Sequence, residues 1–102
     1  MIVRLVKMTF RESEVVTFQR LFDERKALIK ASPGCQRLQL LHDGRDPRIF
    51  FTLSHWNAEA DLEAYRHSQL FEETWTLTKA LFDDKPKAWT LESEAVLGHI
   101  DD

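Results

Sequence analysis

Cysteine is almost missing from this chain. Cys35 stands alone among 102 residues, so neither an intrachain disulfide nor a cysteine-built metal cluster can form. Glycine is scarce as well: the three glycines lie far apart and leave no glycine-rich phosphate loop. There is no basic excess. Fourteen Lys+Arg face 17 Asp+Glu, for a formal net charge of −3, and no basic run exceeds Arg25-Lys26. That balance argues against a nucleic-acid partner, which a basic patch would announce. The histidines His42, His55, His67 and His99 show neither His-x-His nor His-x-x-x-His spacing, so no metal site is expected. No apolar run approaches the roughly 18–20 residues of a membrane span. Arg4, Lys7 and Arg11 interrupt any apolar stretch of the signal-peptide kind, and a cytoplasmic protein is expected. No repeat, linker or low-complexity segment is evident.

What the chain does have is aromatic area: seven Phe, three Trp and one Tyr. With 43% hydrophobic and 30% charged residues, it reads as an ordinary globular domain. Its length fits a single domain, with a core over about 2–93 and a tail over 94–102. A monomer of this size buries only about 60–65% of its unfolded surface, so subunit association would add useful burial.

Residues 2–9 mix β-branched and apolar side chains and predict a first strand. Ser13 is a plausible N-cap for a helix in which Val15, Phe18, Phe22, Arg25 and Ile29 recur at three- and four-residue steps, flanked by Leu21 and Leu28. Ser32-Pro33-Gly34 stops it. Residues 35–42 alternate as a second strand. Asp43-Gly44-Arg45-Asp46-Pro47 is dense in turn formers, and residues 48–56 follow as a third strand antiparallel to the second. Asn57 and Ser68 can cap two helical segments, the second carrying Phe71, Trp75, Thr78 and Phe82 on one face before Pro86 ends it. Residues 87–93 complete the pattern as a fourth strand.

The order β-α-β-β-α-β predicts an α+β, ferredoxin-like fold: a four-stranded antiparallel sheet with its helices on one face. The third strand is apolar on both parities, with Ile49, Phe51 and Leu53 on one and Phe50 and Trp56 on the other. A strand apolar on both sides is buried on both, which predicts a second copy of the chain against the open face.

Pro33-Gly34-Cys35, the strand end Ser54-His55-Trp56 and the run from Ala60 through Tyr65-Arg66-His67-Ser68 to Phe71 add a further signal. In order and spacing they resemble the antibiotic biosynthesis monooxygenase domain family, whose members are dimeric α+β barrels. Trp75, Thr78-Lys79, Leu81-Phe82, Lys85-Pro86 and Ala88-Trp89 extend the likeness, which covers about residues 2–92. The resemblance implies a homodimer formed through the sheet faces. It also implies a small-molecule monooxygenase that oxygenates an aromatic phenol or quinol with O2 and needs no cofactor. The rival is a non-catalytic dimeric module that binds an apolar ligand or serves only structure. A third, haem-degrading branch of the family uses a His ten residues after a Trp and an Asn on the first strand. Here Tyr65 stands at the place of that Trp, Trp75 at the place of the His, and residues 2–9 contain no Asn, so haem is not expected.

Oxygenation without a cofactor asks for an apolar site, a proton acceptor and donors that hold the resulting anion. His55 and Arg66 are the candidate catalytic groups. Trp56, Tyr65, Phe71, Trp75 and His42 are the candidate substrate-binding residues, since aromatic rings can sandwich a planar molecule. Each has a structural counter-reading. Trp56 and Trp75 can be core, His42 a solvated residue beside a turn, and Arg66 a surface ion-pair partner of Asp61 or Glu63. Cys35 reads as a small buried residue and not as a nucleophile.

Overall fold

A computed structural model describes residues 1–98. Four strands and three helices follow one another as β1 (Ile2–Thr9), α1 (Val15–Lys30), β2 (Cys35–His42), β3 (Ile49–Trp56), α2 (Glu59–Arg66), α3 (Gln69–Lys79) and β4 (Lys87–Glu92). The strands form one antiparallel sheet in the order β2-β3-β1-β4, the ferredoxin-like topology that the element order predicts. Val96 and Leu97 do not extend β4; they are exposed beyond it. The end of the tail, residues 99–102, lies outside the described residues.

Strand parity separates two faces. Ile2, Met8, Phe50, Ser54 and Trp56 are buried on the helix side. Register places Leu5 opposite Leu53 and Trp89, and Leu41 opposite Phe51, on the other side. On that open face Leu41, Trp89 and Leu91 are 39%, 42% and 42% exposed, a large apolar display for a monomer. A register shift between Cys35 and Arg37 lets Cys35 sit opposite Trp56 and turn inward with Ile2 and Leu62.

The helix starts depart from the capping expectations. Ser13 lies inside a 3-10 turn, Glu12–Glu14, and Glu14 takes the cap position of α1 with no side-chain hydrogen bond. The preceding chain is already pinned: Phe10 bridges Phe82, and the Arg11 amide donates to the Leu81 carbonyl at 3.1 Å. Asn57 does not cap α2. Its amide donates to the Gly34 carbonyl at 2.9 Å, which prolongs the strand direction and leaves the cap to Ala58. Ser68 does cap α3, its hydroxyl accepting from the Phe71 amide at 3.1 Å. Phe82 lies beyond the end of α3, so the stripe of Phe71, Trp75 and Thr78 is continued by a bridge to Phe10 and not by another helical turn.

Gly34 closes the turn after α1 with φ +83°, and a Cβ there would collide with the Asp61 side chain. Only glycine satisfies both the left-handed backbone and that approach of α2. Leu28, expected beside the buried stripe of α1, is instead 58% exposed, while Phe18 and Ile29 carry the burial.

Candidate functional site

Two buried clusters occupy the layer between helices and sheet. One holds Ile2, Cys35, Trp56 and Leu62, with Tyr65 packed against it. The other holds Met8, Phe10, Phe18 and Phe50, flanked by Phe22, Trp75 and Phe82. Members of both line a cavity of about 200 Å³ that opens on one side. Beside Val6, Met8, Leu38 and Trp56, its strand-side lining includes small or polar residues on the helix-facing parity: Thr52 and Ser54 of β3 and Ala88 of β4. A Leu or Phe at these positions would fill the space. Opposite them stand Tyr65 from α2 and Phe71, Thr74 and Trp75 from α3. The chain turns between these helices at His67-Ser68, where the Tyr65 carbonyl accepts from both the Ser68 amide and its hydroxyl, at 3.0 and 2.6 Å.

The aromatic walls are in mutual contact. Trp56 stacks on Tyr65 with centroids 5.0 Å apart. Tyr65 meets Phe71 edge-on at 5.3 Å, and Phe71 meets Trp75 at 5.9 Å. Trp56 is fully buried and its indole N–H donates to the Ser54 hydroxyl at 2.9 Å, so it offers a ligand only its ring. The Tyr65 hydroxyl has no hydrogen-bond partner among the described residues. Burial, with a smaller push from Cys35, raises its pKa to about 12. Tyr65 is therefore a neutral donor in this site and not a base at ordinary pH.

Charge enters the cavity at Arg4 and Arg66. Arg4 projects from β1 on the covered face, between Ile2 and Val6, and donates to the Thr90 hydroxyl at 2.8 Å. Its pKa lies below the usual guanidinium value because of desolvation first and of Arg66 second, with Glu63 opposing. Arg66 pairs with Glu63, not Asp61, at 3.0 Å. No Asp, Glu or His is among the lining residues.

Of the expected site residues, the structure brings Trp56, Tyr65, Phe71, Trp75 and Arg66 to one cavity. It does not bring His55 or His42 there. His55 alternates with Ser54 and Trp56 and so projects from the open face, in register with Val3 and Arg37. His42 is exposed at the end of β2, its Nδ1 3.0 Å from the Asp43 carbonyl and its ring against Phe50. Arg4, Thr52, Ser54 and Thr74 are among the lining residues that sequence reasoning missed. A cation on the parity of Ile2, Val6 and Met8 was the available signal for Arg4. Burial raises the Cys35 thiol pKa, which fits a structural residue. Among the described residues no cluster of His, Cys, Asp or Glu could hold a metal ion.

The model of the antibiotic biosynthesis monooxygenase family matches residues 1–76. The chain belongs to that family. Solved structures extend the likeness over the remaining strand. An antibiotic biosynthesis monooxygenase is 17% identical with a TM-score of 0.87, over 93% of this chain and 100% of that one. A conserved protein from Methanosarcina mazei Go1 is 20% identical with a TM-score of 0.86, over 92% and 94%. A variant of SnoaB, a cofactor-independent oxygenase from Streptomyces nogalater, is 15% identical with a TM-score of 0.86, over 96% and 97%. At these identities the likeness shows the fold. No curated protein matches the chain. Family membership covers several possible chemistries, so the site itself must carry the functional argument.

Proposed function

We propose that this member of the antibiotic biosynthesis monooxygenase family oxygenates a small aromatic phenol or quinol with O2 in the cavity, without a cofactor. One observation carries the reading: an aromatic-walled cavity that ends in two guanidinium groups and a neutral phenol. An apolar cavity of about 150 Å³ can hold benzene. The space here accordingly suits one or two fused rings. The rings of Phe71 and Trp75 form one wall against a planar ligand, and the Tyr65 hydroxyl donates to its oxygen.

The chemistry balances with substrate electrons alone. A phenol with a free para C–H ionises, and the phenolate passes one electron to O2. The radical pair combines at the para carbon as a peroxide. Protonation of the outer oxygen, loss of the ring proton and cleavage of the O–O bond leave a para-quinone and water. One oxygen atom ends in the new carbonyl and the other in water. The protein's part is to bind the ring, keep it dry and favour the anion.

The test is O2 uptake with a panel of naphthols and quinols under labelled dioxygen. One labelled atom in the quinone is expected. Binding without uptake leaves the second reading, a ligand-binding module, which the absence of an imidazole or carboxylate from the lining favours. The absence of both binding and uptake rejects the proposal. Haem is expected to give no sharp, stoichiometric Soret shift in a titration, since the lining offers no imidazole or thiolate.

The reading includes a homodimer. The open face joins Leu5, Leu53, Leu41, Trp89 and Leu91 over all four strands, and the β2-β3-β1-β4 sheet has no second layer there among the described residues. A second copy laid on this face buries the same surface twice, as a two-fold contact does. Light scattering at micromolar concentration is expected to give twice 12.0 kDa. Trp89→Glu is expected to return it to the monomer mass.

A further inference from the structure

We infer that the cavity takes its aromatic ligand as an anion, with the charged oxygen at the Arg4–Arg66 end and the ring against Phe71 and Trp75. This rests on the proposed function and names the substrate class for the same site: an aromatic oxyanion, either a phenolate of an acidic phenol or an aromatic carboxylate.

Three observations carry it. First, the charge at that end does not cancel. Arg66 has Glu63 as a partner at 3.0 Å, whereas Arg4 bonds only the neutral hydroxyl of Thr90, and no carboxylate of the described residues pairs with it. Two guanidiniums against one carboxylate leave a single positive charge beside an apolar space. An unpaired, partly desolvated cation next to a like charge is costly, and a ligand anion removes that cost. Second, Arg4 comes from the covered face of the sheet. Its neighbours of the same parity, Ile2 and Met8, are buried, so the strand forgoes an apolar residue there. Third, the lining holds no group that would take a proton at neutral pH. It has no His, Asp or Glu, and Tyr65 is protonated. A neutral phenol would find no acceptor in the protein; one that arrives ionised needs none. Guanidinium forks suit either oxygen chemistry, because they donate parallel N–H bonds.

Two probe pairs test this. One is 4-nitrophenol, whose neutral and ionised forms absorb at different wavelengths, with its neutral methyl ether. The other is naphthalene-2-carboxylate with the corresponding amide. Binding is read by tryptophan fluorescence, and the ionisation of bound nitrophenol by its colour. The anion of at least one pair is expected to bind about tenfold more tightly than its neutral partner; for nitrophenol this appears as a fall of about one unit in the pKa of the bound probe. A preference confined to one pair names phenolate or carboxylate as the group recognised. Arg4→Met is expected to cut the preference to about twofold. Arg4→Lys, which keeps the charge without the fork, is expected to retain part of it should Arg4→Met fail to fold. If neutral probes bind at least as well as both anions, the inference is overturned while the cavity reading stands. If no probe of either kind binds, both fall.

Discussion

The two ends of the helix–sheet layer are built from the same kind of residue and differ in what the rings achieve. At one end Phe10 stacks on Phe18 at 4.1 Å, Phe18 meets Phe50 edge-on at 5.3 Å, and Phe82 closes on Phe10 at 5.4 Å. Phe10, Phe18 and Phe50 are 0–3% exposed. At the other end Tyr65, Phe71 and Trp75 touch at comparable distances yet stay half-buried around open space. Trp75 joins the two, meeting Phe82 edge-on at 5.6 Å. Ring contact alone therefore does not make a core. The strand residues beneath differ: Phe50 fills the first end, while Thr52, Ser54 and Ala88 leave space at the second, which Met8 and Phe18 border from the packed side.

This contrast sets the order of expected effects. Phe10→Ala removes a fully buried ring from the packed end and is expected to cost about 3–5 kcal/mol in chemical denaturation. A loss below about 1 kcal/mol would mean that both ends are equally loose. Alkali should act on the open end, which carries the only tyrosine of the chain. Tyr65 ionises at about 12 in the fold against 10.0 for the ordinary group. Its neutral form is favoured by folding, so stability is full below pH 10 and falls as the pH rises from about 10 to 12. The loss approaches 2–3 kcal/mol at about 1.4 kcal/mol per unit. Tyr65→Phe is expected to remove that slope, and tyrosinate absorbance reports the single group directly. An unshifted titration would place Tyr65 in solvent. The smallest effect is expected from Trp75→Phe. Because this ring borders open space, its reduction should cost less than about 1 kcal/mol while weakening aromatic binding. A cost as large as that of Phe10→Ala would make Trp75 core and close the cavity.

Much of this architecture is legible in the residues. Residue type, alternation and turn formers place β1 and β2 at their observed bounds and β3 and β4 within one residue. Caps were less legible, since Ser13 and Asn57 have the right chemistry but sit where tertiary contacts of Phe10, Arg11 and Gly34 already hold the chain. The cavity's aromatic wall was readable from the three- and four-residue spacing of Phe71, Trp75 and Thr78. Its polar end was not. β3 is apolar on both parities, so nothing in its pattern says which face the helices cover. His55 and Ser54 lie on opposite parities, and the fold turns Ser54 inward. Arg4 was hidden for a related reason: a cation in a strand reads as solvent-facing unless the covered face is known.

The position of β1 has a consequence for how the molecule comes into being. It is first in the chain and interior in the sheet, with Ile2 opposite both Trp56 and Glu92. Its neighbours are thus made much later than it is, and joining them closes loops spanning half and then nearly all of the described chain. A nascent chain that has not reached β3 holds its first strand unpaired on both edges. One that stops before Pro86 has β1 as a bare edge and lacks the Pro86 and Ala88 lining of the cavity. Such high contact order slows folding, and it makes the binding space one of the last features to exist.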